Sequence, residues 1–291
     1  MKDFLIATNF IKDNDLLLTS QIEEYLKAKN CTCKKIVGNR EGACDEGEVS
    51  FTISEDDSFD CAIALGGDGT ILQVSRDLRN TDIPIVGVNL GTMGFLTEVE
   101  PYQIENVLDR LINDDYRVED RMNIEGSIIR NEGDEPDNNN TCSDIALNDI
   151  VVSRAGFSRV IGLKVYVNGK VMEIYEADGV IVSTPTGSTG YNLSAGGPIV
   201  SPKTDIIILT PISPHSLTSK SIVLSSEDEI EIEILKMRKA QKEEAIISFD
   251  GQPGVELSPG DRIKVIRSEK TTKMIKLFDV SFYKVLREKI R

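Results

Sequence analysis

The chain has 291 residues, enough for one large or two medium domains with a substantial core, and its 40% hydrophobic and 28% charged residues are those of an ordinary globular protein. With 48 acidic against 33 basic residues the formal charge is −15, which argues against a nucleic-acid or anionic-membrane partner and requires any bound phosphates to be neutralised locally, most naturally by a divalent cation. The apolar run in the opening MKDFLIATNF is too short for a signal peptide and no stretch approaches transmembrane length, so a cytoplasmic protein is expected.

Residues 4–7 read as a first strand, with a loop from Asn9. From residue 15 onward Leu18, Ile22, Tyr25 and Leu26 recur at helical spacing, acidic residues near the start and lysines near the end. A second strand is expected at 34–37, then an acidic loop at 42–60 with a short extended piece at 51–53. Residues 61–65 form a short apolar strand that stops at Gly66-Gly67-Asp68-Gly69, and a helix opens at Thr70 with Ile71, Leu72 and Val74 early in it. A further strand at 85–88 also ends in glycine-rich sequence, residues 89–96. A helix over 101–113 carries Ile104, Val107, Leu108 and Leu111 on one face. Alternating strands and helices predict a parallel, Rossmann-like half with both glycine loops at one end of its sheet.

After Asp120 the pattern changes. Residues 123–130 and 145–153 suggest antiparallel strands on either side of a polar run at 131–140. Residues 165–171 carry a hairpin signal, Asn168-Gly169 suiting a type I′ turn, and 229–234 alternates with Ile230, Ile232 and Ile234 facing one way. The tail, 278–291, is short and basic enough to cap an edge. The expected fold is therefore α/β: a Rossmann-like N-terminal domain, a mostly antiparallel β C-terminal domain, and a C-terminal tail returning to the first. The expected division is 1–121 with 268–291, carrying the Gly-Gly-Asp-Gly loop, and 122–267, which is β-rich.

The five cysteines are odd in number and lack zinc-site spacing, Cys31-Thr-Cys33 being closer than the usual pair, so they read as reduced thiols. His215 is the single histidine, which argues against a Ser/His/Asp triad or a polyhistidine metal site, and no metal-ligating residue is assigned. Asp68 is the first catalytic candidate. Its carboxylate is expected to stand at the carboxyl end of a strand, where open α/β sheets bind ligands and glycines admit a phosphate. Ordinary turn chemistry accounts for the same residues equally well, and the spacing fits neither the Walker nor the G-x-G-x-x-G loop. Residues 178–192 flank a strand with Asp178 and a dense run of hydroxyls and glycines, suited to a nucleotide's hydroxyls and phosphates or to a Ser/Thr-rich surface loop. Asn148-Asp149 interrupts an apolar strand pattern, marking a strand end, a bulge or a binding position.

In this order the segments LGGDGT (65–70), VNLGTMGFLTE (88–98), ALNDIVVSR (146–154), DGVIVSTPTGSTGYNLSAGGP (178–198), LTPISPHSL (209–217) and SFDGQ (248–252) resemble the NAD kinase family. GGDG alone is shared with diacylglycerol kinases, sphingosine kinases and phosphofructokinases; the long segment at 178–198 makes the match specific. The resemblance implies transfer of a phosphoryl group from ATP, or polyphosphate, to the 2′-hydroxyl of the adenosine ribose of NAD, with Mg²⁺, in a homodimer or homotetramer and a crevice between domains. It implies that Gly66, Gly67, Gly69 and Thr70 hold the donor phosphates and that Asp68 orients or deprotonates the nucleophile. It further implies that Phe95 packs on the adenine, Asn148 and Asp149 contact the NAD ribose, Asp178 the nicotinamide side, and Thr189, Gly190 and Tyr191 the adenosine, with Ser194 in the same binding segment. Two positions depart from the family pattern: Asp149 stands where Glu is usual, and Gly190 where Ala is usual. A lipid or sugar kinase sharing the GGDG loop and a non-catalytic NAD(P)-binding sensor are the alternatives.

Overall fold

The computed structural model describes residues 1–38, 58–91, 94–131, 143–156, 160–216, 218–236, 245–279 and 281–289. The extended piece expected at 51–53 and nearly all of the polar run at 131–140 lie outside them. The chain divides into two compact units, Met1–Asp120 with Thr272–Arg291, and Arg121–Thr271.

The first unit runs β1 (Asp3–Thr8), α1 (Leu17–Ala28), β2 (Thr32–Val37), β3 (Cys61–Gly66), α2 (Asp68–Asp77), β4 (Ile85–Asn89) and α3 (Ile104–Ile112). The strands pair in parallel in the order β2-β1-β3-β4. Residues 4–8 and 61–66 are buried throughout, which is why β1 and β3 read as unbroken apolar runs rather than alternating ones. Ile22 and Leu26 of α1 and Val107, Leu108 and Leu111 of α3 pack with Phe4, Ile6, Ile63, Leu65, Val86 and Val88 in one core. The chain moves outward from β1 to β2 and then back across β1 to β3. The loops after β1 and β3 therefore leave neighbouring strands at the same edge, the switch point where open α/β sheets bind ligands. α2 begins at Asp68, two residues before the expected Thr70. Gly67 takes the extended cap position, and its carbonyl accepts from the N–H groups of Thr70 at 2.9 Å and Ile71 at 3.2 Å.

β5 (Arg117–Ile129) leads into the second unit, starting six residues before the strand expected at 123. There follow β6 (Ser143–Ala146), β7 (Asp149–Arg154), β8 (Ile161–Val167), β9 (Lys170–Ala177), β10 (Gly179–Ser183), α4 (Tyr191–Ser194), β11 (Ile206–Ile212), β12 (Ile222–Ser225), β13 (Ile230–Leu235), β14 (Ala245–Phe249) and β15 (Val255–Leu257). One antiparallel sheet has the order β12-β11-β10-β7-β14-β15, and β13, β8 and β9 pair antiparallel in another. Ile150, Val152, Val180 and Ile247 from the former share a core with Leu163, Val165, Ile230 and Ile232 from the latter. The β8–β9 hairpin turns at Asn168 (φ 50°) and Gly169 (φ 73°), the paired positive dihedrals of a type I′ turn. In β13 the three isoleucines are buried, while Glu231 and Glu233 reach Arg262 at 2.9 and 3.2 Å. The single strand expected over 145–153 is broken at Leu147-Asn148 into β6 and β7.

β16 (Arg262–Lys276) pairs antiparallel with β13 near its start. From Thr272 it belongs to the first unit, where Met274 pairs in parallel with Ile85. α5 (Phe282–Lys289) follows in the same unit. The fold is thus a Rossmann-like α/β unit plus a mostly antiparallel β unit, with the tail in the first.

Candidate active site

In the first unit the candidates gather where β1, β3 and β4 end. Asp68 does not stand unengaged at a strand end. From the first turn of α2 its Oδ2 accepts from the Phe95 N–H at 2.8 Å and its Oδ1 from the Leu96 N–H at 3.1 Å. A Cβ on Gly94 would overlap Asp68 Oδ1, so the second glycine loop can close on this carboxylate only as glycine. The two glycine loops are thereby held together by one side chain. The loop glycines differ in kind. A Cβ on Gly66 would overlap the Thr70 side chain, so Gly66 serves the approach of helix to strand; Gly69 has no neighbour within 4 Å of a Cβ. A Cβ on Gly67 would stand 2.7 Å from Lys12 Nζ. Thr70 is buried, and its Oγ1 accepts from Asn9 Nδ2 at 3.4 Å. The Phe95 ring is half-buried, with Phe282 of α5 at 6.1 Å between centroids and Lys289 Nζ 4.7 Å from its own. Asn89, at the end of β4, is buried, and its Oδ1 lacks a hydrogen-bond partner among the described residues.

In the second unit the break between β6 and β7 is organised by Asp250. Its carboxylate accepts from the N–H groups of Leu147 (2.7 Å), Asn148 (2.7 Å) and Asp149 (3.0 Å). The polar pair in the apolar pattern is therefore a strand junction with its amides satisfied. On its other side Thr184 N donates to Asn148 O (2.9 Å) and Thr184 Oγ1 to Leu147 O (2.6 Å), binding the hydroxyl-rich turn to the pair. A Cβ on Gly190 would lie 3.3 Å from Gly187 O, 3.5 Å from Asn148 Nδ2 and 3.9 Å from Asp149 Oδ2, so Gly190 faces both side chains. Burial, with the Asp250 charge beside it, raises the Asp149 carboxyl to about 7. Thr189 and Tyr191 adjoin Gly190, the Tyr191 side chain being exposed, and Ser194 ends α4 at the surface. Asn192, wholly buried, braces this turn by donating to Ser188 O (3.1 Å) and Pro198 O (3.0 Å) and accepting from Thr210 Oγ1 (2.7 Å).

Asp178 is not brought to this cluster within its unit. It precedes β10, whose first residue pairs with Ser153, whereas Asp149 pairs with Ser183 at the strand's other end, and its Oδ1 is in an ion pair with Arg154 at 2.8 Å. His215 makes a backbone bond to Glu176 O at 2.9 Å. Sequence reasoning passed over Lys12, Gly94 and Asp250. Asp250 lies in the quoted SFDGQ, and Lys12 could have been found by asking which cations follow a strand adjacent to β3.

Residues 4–116 match the family model for the ATP-NAD kinase N-terminal domain, and residues 147–277 the model for the ATP-NAD kinase C-terminal domain. An NAD kinase from Lachnoclostridium phytofermentans is 45% identical over 289 residues, 99% of each chain. Among solved structures, an NAD kinase from Archaeoglobus fulgidus in complex with ATP is 28% identical with a TM-score of 0.74, covering 100% of this chain and 99% of its own. The yeast NADH kinase complexed with NADH shares the fold at a TM-score of 0.87 and 24% identity, covering 100% of this chain and 87% of its own. A carboxylate clamped between two glycine loops and a hydroxyl-rich turn tied to an Asn-Asp pair thus occur in a chain that belongs to the NAD kinase family.

Proposed function

We propose that this chain transfers the γ-phosphoryl group of ATP to the 2′-hydroxyl of the adenosine ribose of NAD, yielding NADP and ADP. Family membership supports the reaction, and the observation that carries it is the fixed Asp68 carboxylate at the switch point of the parallel sheet. As the 2′-oxygen bonds to the γ-phosphorus, the bond to the β,γ-bridging oxygen breaks and its electron pair leaves with ADP. The hydroxyl proton passes to Asp68 and on to solvent. Carboxylates are weak bases at neutral pH, so Asp68 acts chiefly by orienting the hydroxyl and takes the proton late. Fixing it with two backbone amides removes rotamer freedom that would otherwise be lost on reaching the reactive geometry.

Gly67, Gly69 and Thr70 offer the donor a surface short of side chains, while Asn148 and Asp149, held by Asp250, take the NAD ribose. Thr189, Gly190, Tyr191 and Ser194 take the adenosine, Phe95 packs against adenine, and Asp178 serves the nicotinamide side. Among the described residues no group of three or more His, Cys, Asp or Glu side chains could hold a metal ion. Magnesium would therefore ride on the donor phosphates with Asp68 as the carboxylate within the loop, supplying charge neutralisation. Inorganic polyphosphate presents the same phosphate chain and would use the same loop. The proposed assembly is a homodimer or homotetramer, on the strength of the family. The free thiols of Cys31, Cys33 and Cys61 suit a reducing compartment, here the cytoplasm.

The test is NADP formation by the purified chain from NAD, ATP and magnesium, with ADP measured in parallel. Equal yields of NADP and ADP are expected. NAD binding with neither product formed would overturn the reading in favour of a sensor.

A further inference from the structure

We infer that Lys12 is the cation that holds the donor's phosphate chain at the glycine loop, and that residues 9–16 around it form the donor's docking segment. The inference rests on the kinase reading above and adds the residue that neutralises the donor.

The loop after β1 leaves the sheet beside the loop after β3, because these strands are neighbours at the switch point. Lys12 reaches across: its Nζ is 2.7 Å from a Cβ built on Gly67 and 3.9 Å from one built on Gly91, placing the ammonium over the backbone of both glycine loops. The side chain is exposed, and the ammonium makes no ion pair or hydrogen bond among the described residues. No ion pair joins it to Asp68, whose carboxylate oxygens accept from the Phe95 and Leu96 amides. In a chain of formal charge −15, an ammonium with no carboxylate paired to it among the described residues is matched to an anion that arrives from outside.

The segment is braced at both ends. Asn9 Oδ1 accepts from Ile11 N at 3.0 Å, and its carbonyl accepts from Lys12 N at 3.0 Å and Asp13 N at 3.1 Å. Asp13, buried, accepts from Leu18 N at 3.1 Å and Thr19 N at 2.9 Å, tying the segment to α1. Between these anchors Phe10 is 59% and Ile11 50% exposed. With Asn14 and Asp15 they line a cavity of about 510 Å³, within the range of small-molecule sites. Asp15 and Leu16 both hold left-handed dihedrals, φ 56° and 55°, strain of the kind found at ligand clamps. A nucleoside triphosphate fits this arrangement: phosphates under Lys12, base on the Phe10–Ile11 shelf, ribose hydroxyls toward Asn14 and Asp15.

The test uses the full chain, varying ATP at saturating NAD and NAD at saturating ATP. Loss of a charged hydrogen-bond partner predicts that Lys12→Ala lowers kcat/KM for ATP about 10- to 100-fold, while KM for NAD stays within about twofold. Lys12→Arg should recover most of the loss. Inorganic tripolyphosphate, which has no base, separates the two parts: Lys12→Ala weakens its inhibition against ATP, and Phe10→Ala leaves that inhibition unchanged while weakening ATP. Unaltered ATP kinetics in Lys12→Ala, or an equal loss for NAD, would overturn the inference. If the wild type makes no NADP, the kinase reading fails by itself. Calorimetric titration of magnesium-ATP into wild type and Lys12→Ala then decides the role of Lys12, equal affinities refuting it.

Discussion

Asp149 has one role in the fold and another in the proposed site, and pH separates them. It is 5% exposed at the start of β7, and burial with Asp250 nearby lifts its carboxyl from 3.8 to about 7. A folded value above the unfolded one means that the native state retains a proton the unfolded chain has already released. The associated stability is fully present below about pH 4 and is lost as pH rises through about 7. Three units correspond to about 4 kcal/mol as an upper bound, of which about 2.5 kcal/mol falls between pH 5 and pH 8. Asp149→Asn cannot ionise and should escape this loss. The assay is urea denaturation followed by far-ultraviolet circular dichroism at pH 5, 6, 7 and 8, the chain having no tryptophan for fluorescence. Subtracting wild type from variant at each pH cancels the titrations of the groups that the substitution leaves unchanged. The variant's relative stability should rise by up to about 2.5 kcal/mol from pH 5 to pH 8. A difference that is flat or falls with pH would refute the burial argument. The matching functional sign is an inflection near neutral pH in the wild-type KM for NAD that the variant lacks.

Asp68→Asn puts an NH₂ group against one of the two backbone donors whichever way the amide turns, besides removing the proton acceptor. Turnover should fall at least about 100-fold with NAD affinity little changed, and scanning calorimetry should show a lower melting temperature. Near-normal kcat would sink the catalytic assignment. Gly94→Ala drives a methyl into Asp68 Oδ1 and to 2.8 Å from Thr97 Oγ1, and should destabilise the first unit by about 1–3 kcal/mol while cutting turnover. Full activity in that variant would mean that the clamp on Asp68 is dispensable. Asp250→Ala deprives three amides of their acceptor and should cost about 2–4 kcal/mol in denaturant unfolding. Its steady-state signature is a KM for NAD that rises more than that for ATP, and an unchanged KM for NAD would count against positioning through the Leu147–Asp149 backbone.

Much of the architecture is legible locally. Period-2 alternation in Ile230, Ile232 and Ile234, the apolar runs of β1 and β3, the Asn168-Gly169 turn and the helical spacing of α3 all depend on residues within a few positions of one another. The motifs from LGGDGT to SFDGQ likewise suffice to assign the family, because short strings carry the groups whose chemistry the reaction needs. What the residues do to one another was settled only by the tertiary structure. Asp68 is held by amides 27 and 28 residues away, and Asp250 holds amides 101 to 103 residues away, with no periodicity to announce either bond. The start of α2 at Asp68, the break at Leu147-Asn148, the distance along β10 between Asp178 and Asp149, and the reach of Lys12 over Gly67 are of the same kind. Local patterns report which face of an element is buried. Strand order and long-range hydrogen bonds decide which loops meet at a sheet edge, and with them the glycines that serve packing and the amides that hold a carboxylate.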